Sequence, residues 1–234
     1  MTILDVGCGV GDVAFLAAEL VGPSGAVVGI DRAPQAITIA RSREQERPIS
    51  TVSFRENDLS ALTFGRQFDA VVGRYVLMYL RDPSAVLRLL ASFVRSGGVI
   101  VFHELHLPPF QFVSYPAAPL YDRCCHWVTE FFRRGGHDER MGIKLHQAFV
   151  DAGLPAPTMR METIIGGDAR GMMQVDQLAA FCVAQAAEFE RLGIATAEEI
   201  GVDTLAERLR QDVAARGSIV LRCNAEIGAW ARVE

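Results

Sequence analysis

I-L-D-V-G-C-G-V-G-D, at residues 3–12, predicts a β-strand that runs into a tight glycine loop and then into a helix. The apolar run ends at Val6, and glycines follow at positions 7, 9 and 11. Beyond the loop, apolar side chains recur at helical spacing at Val13, Leu16, Ala17 and Leu20. Glycine lets a ligand approach the backbone closely, and the N-terminus of the following helix favours an anionic group. The stretch therefore predicts a ligand-binding loop at the end of a strand.

Four further apolar runs predict the other strands of an α/β domain. They lie at 26–30, 52–55, 68–73 and 99–102, and turns and amphipathic helical patterns separate them. Strands that alternate with helices build a parallel sheet covered by helices. Asp31 follows the second run about 20 residues after the loop, where α/β cofactor domains carry an acid that binds ribose hydroxyls. An aspartate at this position also suits a helix N-cap.

Four motifs along the first 105 residues resemble those of one enzyme family. They are D-x-G-x-G-x-G at 5–11, F-D-x-V-V at 68–72, Y-L-x-D-P at 79–83 and G-G-x-I-x-F-x-E at 97–104. Together they resemble class I S-adenosylmethionine-dependent methyltransferases of the quinone-biosynthesis and natural-product type. The resemblance implies a Rossmann-like α/β fold with a seven-stranded, mostly parallel sheet, an antiparallel last strand, and helical insertions after strands 5 and 6. Dinucleotide-binding loops read G-x-G-x-x-G, whereas the third glycine of this loop comes one residue earlier, at Gly11. This spacing disfavours a nicotinamide oxidoreductase.

By this resemblance, the glycine loop wraps the methionine part of S-adenosylmethionine, and S-adenosylhomocysteine is the product. Asp31 binds the ribose, and Asp58 accepts a hydrogen bond from the adenine amino group beside Leu59. A solvated turn acid is the alternative for Asp58. The implied cofactor-binding residues are Asp5, Gly7, Cys8, Gly9, Asp31, Arg32, Asp58, Leu59, Arg74 and Tyr75.

The candidate catalytic residues are His103 and Tyr79. Methyl transfer needs no covalent enzyme intermediate, because holding two reactants at near-attack geometry in a dry pocket supplies much of the rate. A general base helps if the acceptor is a hydroxyl, and His103 ends the fifth strand beside the expected methyl position. A structural histidine is the alternative. Glu104 points to the opposite side if the strand continues.

The composition narrows the classes of function. A net charge of −5 argues against a nucleic-acid partner, which usually requires a basic face. The five cysteines contain no C-x-x-C pair, so we expect no metal site, and their odd number suits a cytoplasmic location. Cys124 and Cys125 raise the alternative of thiol chemistry such as arsenite methylation, but buried apolar cysteines are the favoured interpretation. No apolar run reaches membrane-spanning length.

We expect a single methyltransferase domain over residues 1–234. Residues 1–105 are its cofactor-binding half, 106–141 a lid-like insertion, and 142–234 a C-terminal half with a helical insertion at 168–215. The insertion at 106–141 follows the carboxyl end of a strand, where ligands bind in open α/β sheets. Predicted elements in this part are helices at 121–134, 138–152, 172–192 and 196–215, a strand at 159–163, and a last strand at 218–221 continuing over 227–233.

Members of the family carry a helical segment before the first strand, whereas Met1 lies two residues before the strand here. We therefore expect a cofactor cleft more open than usual, closed by the lid or by a partner subunit, and a homodimer is a candidate assembly.

The predicted function is methyl transfer by in-line displacement to a small, fairly apolar acceptor, with O-methylation favoured over N or C. The alternative is an S-adenosylmethionine-binding pseudoenzyme or regulatory subunit without turnover. An aminopropyl transferase is disfavoured, because Gly73-Arg74-Tyr75 offers no paired carboxylates for a polyamine.

Overall fold

The computed structural model describes residues 1–47, 49–59, 62–65, 67–107 and 113–234. One sheet contains seven strands: β1 Thr2–Val6, β2 Ala26–Asp31, β3 Val52–Glu56, β4 Phe68–Arg74, β5 Val94–His106, β7 Thr158–Glu162 and β10 Ala225–Arg232. Their order is β3-β2-β1-β4-β5-β10-β7. The first five pair in parallel. Beyond them, Gly97 N–H donates to Val233 O and Val233 N–H to Gly98 O, the reciprocal pattern of an antiparallel pair. The predicted sheet is confirmed.

Helices alternate with the strands in the first part of the chain. Those flanking the seven-stranded sheet are α1 Asp12–Val21, α2 Pro34–Gln45, α3 Pro83–Ala91 and α5 Met141–Asp151. α1 packs against β1, β2 and β3, α2 packs against β2 and β3, and α3 packs against α5. Asp82 caps α3 by accepting the Ala85 N–H at 2.9 Å, and Pro83 follows in the first turn, where its missing N–H costs no hydrogen bond.

The register of the parallel strands brings their carboxyl ends to one edge. Val6 lies opposite both Ile30 and Gly73, and Arg74 lies opposite His103. The glycine loop, the end of β2, the end of β4 and the region around His103 therefore leave the sheet side by side. This edge is where ligands bind in open α/β sheets.

The chain divides into two compact units. The first contains 1–104, 141–160 and 227–234, and the second contains 105–140 and 161–226. The second unit holds a three-stranded sheet and five helices among its described residues: β6 Ser114–Tyr115, β8 Ile165–Gly166, β9 Ile219–Leu221, α4 Pro119–Arg134, α6 Ala169–Ala184, α7 Ala186–Arg191, α8 Ala197–Ile200 and α9 Leu205–Ala215. α4, α6 and α9 pack on one another, and an aromatic cluster of Trp127, Phe131, Phe132, Phe181 and Phe189 lies in this unit. Residues 108–112 of the predicted lid lie outside the described residues.

Three predicted element boundaries are wrong. β5 begins at Val94, not residue 99, because the Gly97-Gly98 backbone pairs with Val233 and so continues the strand. Residues 219–221 form β9 between β6 and β8, so they do not belong to the last strand of the large sheet. The helix predicted at 172–192 is divided at Gln185 into α6 and α7. The helix predicted at 196–215 is divided into α8 and α9 by a turn that begins with Gly201. Among the described residues, no helix has both the length and the apolar character needed to cross a membrane.

Candidate cofactor site

The glycine loop between β1 and α1 has its own backbone conformation. Gly7 and Gly9 have φ angles of 62° and 54°, in the left-handed region that side chains rarely adopt. A Cβ on Gly7 would lie 2.6 Å from Val76 Cγ2, whereas a Cβ on Gly9 would meet no atom of the described residues within 4 Å. Gly7 is therefore required by close packing. Gly9 exposes bare backbone to open space, as a ligand cradle requires.

Asp31 fixes this loop from the neighbouring strand. Its Oδ2 accepts the Gly9 N–H at 2.9 Å, and its Oδ1 accepts the Ala33 N–H at 2.8 Å. The N-cap of α2 is Ala33, so the interpretation of Asp31 as that cap is wrong. A carboxylate oxygen has two acceptor positions. Each oxygen of Asp31 therefore keeps one for a hydroxyl of a ligand.

Two cavities of the first unit adjoin the loop. The larger has a volume of about 290 Å³ and is lined by Gly7, Ile30, Asp31, Arg32, Asn57, Asp58, Leu59, Tyr75, Val76, Tyr79 and Leu80. The smaller, of about 220 Å³, is lined by Asp5, Gly7, Cys8, Gly9, Val10, Asp12, Val13, Arg74 and Tyr75. Gly7 and Tyr75 belong to both linings, so the cavities meet at the loop.

Each of the ten predicted cofactor-binding residues lines one of these cavities. The structure therefore brings the set together, while their roles toward a ligand stay predictions. Sequence reasoning missed Asn57, Val76 and Leu80. Asn57 directly follows the carboxyl end of β3, and its N–H donates to Asp31 O at 3.0 Å. Its position at a strand end was the signal that could have identified it, because ligands bind at that edge of open α/β sheets. Val76 and Leu80 are apolar, so nothing in the sequence marked them as residues of a ligand-binding cavity.

Asp5 is a buried acid in the wall of the smaller cavity. It is 1% exposed, and its Oδ2 has no hydrogen-bond partner among the described residues. Burial raises the pKa of Asp5 to about 7, while the guanidinium of Arg74 acts in the opposite direction. A carboxyl group with these properties binds a cationic or hydrogen-bond-donating ligand group favourably, because such a group satisfies the orphaned oxygen.

Two arginines contact the loop or the first residue of α1. Arg43 Nη1 donates to Val10 O at 2.7 Å and to Asp12 Oδ1 at 2.8 Å, which ties α2 to the loop. Arg74 Nη2 lies 3.9 Å from Asp12 Oδ2, and its guanidinium lies 5.4 Å from the ring centroid of Tyr75. Both arginines thus hold the loop by side-chain contacts.

The two candidate catalytic residues lie in different surroundings. Tyr79 lines the larger cavity and is 47% exposed, and its pKa is raised by burial of the phenol and by the nearby Glu104 carboxylate. His103 is half-buried, and its ring centroid lies 5.9 Å from that of Tyr75. Among the described residues that line the two cavities, His103 does not occur. The geometry therefore brings Tyr79, but not His103, to the described cavities.

The observed cradle fits S-adenosylmethionine. Open space above Gly9, an aspartate whose oxygens retain acceptor positions, and an orphaned Asp5 oxygen lie along two connected cavities. These features suit a long ligand that has a hydroxylated sugar in its middle and an amino group at one end.

Comparisons with known proteins agree with this geometry. Residues 1–128 match the sequence profile of a family described as "Methyltransferase domain". Aklanonic acid methyltransferase DauC of Streptomyces sp. (strain C5) is 38% identical over 118 residues, which are 50% of this chain and 52% of that protein. A ubiquinone biosynthesis O-methyltransferase of Albidiferax ferrireducens is 34% identical over 138 residues, which are 58% of this chain and 51% of that protein. The chain spans about half the length of these curated relatives.

Solved structures share the fold. The crystal structure of the YcgJ protein from Bacillus subtilis is 19% identical, has a TM-score of 0.61, and is matched over 100% of this chain and 92% of that one.

Proposed function

Because the chain belongs to the methyltransferase domain family, we propose that it transfers the methyl group of S-adenosylmethionine to a small, fairly apolar acceptor. Oxygen is the favoured acceptor atom, ahead of nitrogen and carbon. The observation that carries the proposal is the Asp31–Gly9 hydrogen bond, which fixes an open glycine cradle between two connected cavities.

Three parts of this site would hold the cofactor. Asp31 would accept hydrogen bonds from the ribose hydroxyls, and Asp58 would accept one from the adenine amino group beside Leu59. The bare backbone at Gly9 would lie against the methionine part, with Asp5 in the same cavity wall. When bound, S-adenosylmethionine supplies an electrophilic methyl group on a sulfonium centre.

The chain's own contribution is positioning and the control of protons. Tyr79, like an ordinary phenol, keeps its proton at neutral pH, and burial raises its pKa further, so it would act as a hydrogen-bond donor that orients the acceptor. His103 is the candidate base that the sequence offers for a hydroxyl acceptor, although it lines neither of the two described cavities. Burial of the reactants among apolar cavity residues such as Val76 and Leu80 excludes water.

The acceptor class has support from the relatives. One is named as a methyltransferase of aklanonic acid and another as an O-methyltransferase of ubiquinone biosynthesis. Together with the net charge of −5, these names favour a small, fairly apolar molecule over a nucleic acid. A lid at 106–141, a homodimer and a cytoplasmic location complete the proposal.

The test begins with binding. Isothermal titration of the 234-residue chain with S-adenosylhomocysteine should give one site per chain, and absence of heat at millimolar ligand contradicts the proposal. Incubation with methyl-labelled S-adenosylmethionine and a panel of phenols, quinols and amines should then label an oxygen acceptor. Binding without transfer to any acceptor would favour the alternative of a non-catalytic binding protein.

A further inference from the structure

Glu104 is a fully buried carboxylate near the end of β5. Its exposure is 0%, and its Oε1 accepts the N–H groups of Val76 and Leu77 at 2.9 and 2.8 Å. Its Oε2 accepts the Met78 N–H at 3.4 Å. One side chain therefore satisfies three successive backbone donors of a segment 26 to 28 residues earlier in the chain.

The neighbouring residue completes this arrangement. The carbonyl of His103 accepts the Tyr75 N–H at 2.9 Å. Four consecutive N–H groups, from residue 75 to residue 78, thus bind to two consecutive residues of β5. Tyr75 has a φ angle of 57°, an unfavourable conformation for a residue with a side chain. The hydrogen bonds from β5 hold this segment in a shape it would not adopt alone.

The same segment forms a wall of the larger cavity. Tyr75, Val76 and Tyr79 all line it. Val76 also packs directly on the glycine loop, since a Cβ on Gly7 would lie 2.6 Å from Val76 Cγ2. A displacement of the segment would therefore change both the cavity wall and the support of the loop.

The charge of Glu104 matters to these bonds. An ionised carboxylate accepts hydrogen bonds more strongly than a carboxylic acid, whose own proton occupies one acceptor position. Burial raises the pKa of Glu104 to about 7, and the three N–H groups act in the opposite direction. Among the described residues, the phenol of Tyr79 faces this carboxylate, and His103 adjoins it on β5. Asp5, across the cavity system, also has its pKa raised to about 7.

We propose that Glu104 is a positioning residue of the cofactor site, which holds residues 75–78 in the binding conformation only when it is ionised. The proposal rests on the proposed function for the identity of the ligand, but not for the effect on the segment itself. It predicts that loss of the Glu104 charge loosens the 75–78 backbone and weakens cofactor binding without removing a group that touches the cofactor.

The first experiment needs no ligand. Amide hydrogen exchange of residues 76–78 should accelerate at least tenfold in Glu104→Gln. A neutral amide oxygen accepts the Val76 and Leu77 N–H groups more weakly than a carboxylate does, and the amide nitrogen cannot accept the Met78 N–H at all. Asp69→Asn is the matched control: Asp69 accepts the Thr2 N–H at 2.6 Å near the start of β4, whereas residues 75–78 follow the end of that strand. It should leave exchange at 76–78 unchanged. Unchanged exchange in Glu104→Gln overturns the proposal.

The second experiment measures affinity for S-adenosylhomocysteine between pH 6 and pH 8.5. The unmodified chain should bind about five- to tenfold more weakly at pH 6 than at pH 8, whereas Glu104→Gln should bind weakly at both. Because Asp5 titrates in the same range, both chains are also compared in an Asp5→Asn background, where the difference between them should persist. Glu104→Asp retains the carboxylate on a shorter side chain. Its affinity for S-adenosylhomocysteine should be lower than that of the unmodified chain but should still rise from pH 6 to pH 8.

The outcomes separate the two proposals. If the unmodified chain fails to bind at any pH, the proposed function fails, while accelerated exchange in Glu104→Gln still supports the positioning role. If Glu104→Gln binds as tightly as the unmodified chain and follows the same pH profile, the positioning role is wrong even though the cofactor site stands. Should Glu104→Gln not fold, the exchange and affinity of Glu104→Asp decide the question.

Discussion

Asp31 holds Gly9: its Oδ2 accepts the backbone N–H of Gly9 at 2.9 Å, so the end of β2 fixes the loop that follows β1. Replacing Asp31 with Ala removes this bond and the bond to Ala33. We expect affinity for S-adenosylhomocysteine to fall at least roughly tenfold, since charge-assisted hydrogen bonds contribute about 1.5–3 kcal/mol each. Calorimetric titration measures the change.

A matched control for Asp31→Ala is Asp168→Ala. Asp168 also accepts two backbone N–H groups, those of Arg170 and Gly171, but it caps α6 in the second unit. This variant should lose about 1 kcal/mol of unfolding free energy, as cap removal does, and keep its affinity. Equal losses of affinity in the two variants would show that Asp31 acts only through general stability.

The role of Gly9 in ligand binding can be separated from the backbone strain that any substitution at its positive φ angle causes. Gly9→Ala and Gly153→Ala both place a Cβ at a positive φ, 54° and 81°, with no described atom within 4 Å of the new carbon. Both should lower the unfolding free energy by roughly 1 kcal/mol. Only Gly9→Ala should weaken binding of S-adenosylhomocysteine, because its Cβ occupies the cradle. Thermal unfolding and titration of both variants give the comparison, and unchanged affinity in Gly9→Ala counts against the cradle.

Asp5 should make stability depend on pH. Its pKa rises from 3.8 to about 7 on folding, so the folded protein retains a proton that the unfolded chain releases between these values. The free energy of unfolding therefore falls as pH rises from about 4 to about 7. Asp5→Asn removes this contribution, and relative to the unmodified chain it should gain on the order of 3 kcal/mol between pH 5 and pH 8.

Urea denaturation at pH 5 and pH 8 measures this effect. Glu104 shifts in the same direction, so the quantity that isolates Asp5 is the difference between Asp5→Asn and the unmodified chain at each pH. A constant difference across this range would mean that Asp5 is ionised in the folded protein, with Arg74 compensating its burial.

Arg43 should support the loop through a hydrogen bond. Arg43→Met keeps an apolar stem near Phe15 but removes the bonds to Val10 O and Asp12. We expect a three- to tenfold loss of affinity, about the net contribution of one typical hydrogen bond, because Arg43 supports the loop and does not itself line the two described cavities. Arg47→Met is the control, because Arg47 lies over the same ring at 4.4 Å. Both arginines lie over the Phe15 ring, but only Arg43 also bonds to Val10 O and Asp12. The exposed ion pair with Asp12 contributes little, so equal losses of affinity in Arg43→Met and Arg47→Met would assign the loss to the cation–π contact and not to the hydrogen bond with Val10 O.

Local patterns determined much of this site before any contact was known. The alternate glycines and the acid at the end of the second strand were enough to select Gly9 and Asp31, because parallel strands deliver their carboxyl ends to a common edge, whereas Asp58 was selected by the family resemblance. Strand and helix periods likewise predicted an α/β domain with a parallel sheet, and the family resemblance implied its seven strands, with errors where glycines continued a strand at 97–98 and where a short strand at 219–221 paired elsewhere. These errors share a cause, since pairing partners distant in sequence decided both.

The sequence by itself determined that a glycine loop follows the first strand of an α/β fold, because alternate glycines permit positive φ angles that other residues rarely adopt. Only the tertiary structure decided that Glu104 binds the N–H groups of residues 76–78, and that Val76 supports Gly7. Such contacts depend on β4 and β5 being neighbours and on which face each side chain takes. A motif records the residue at a position, but the hydrogen bond and the packing exist only once the strands have paired.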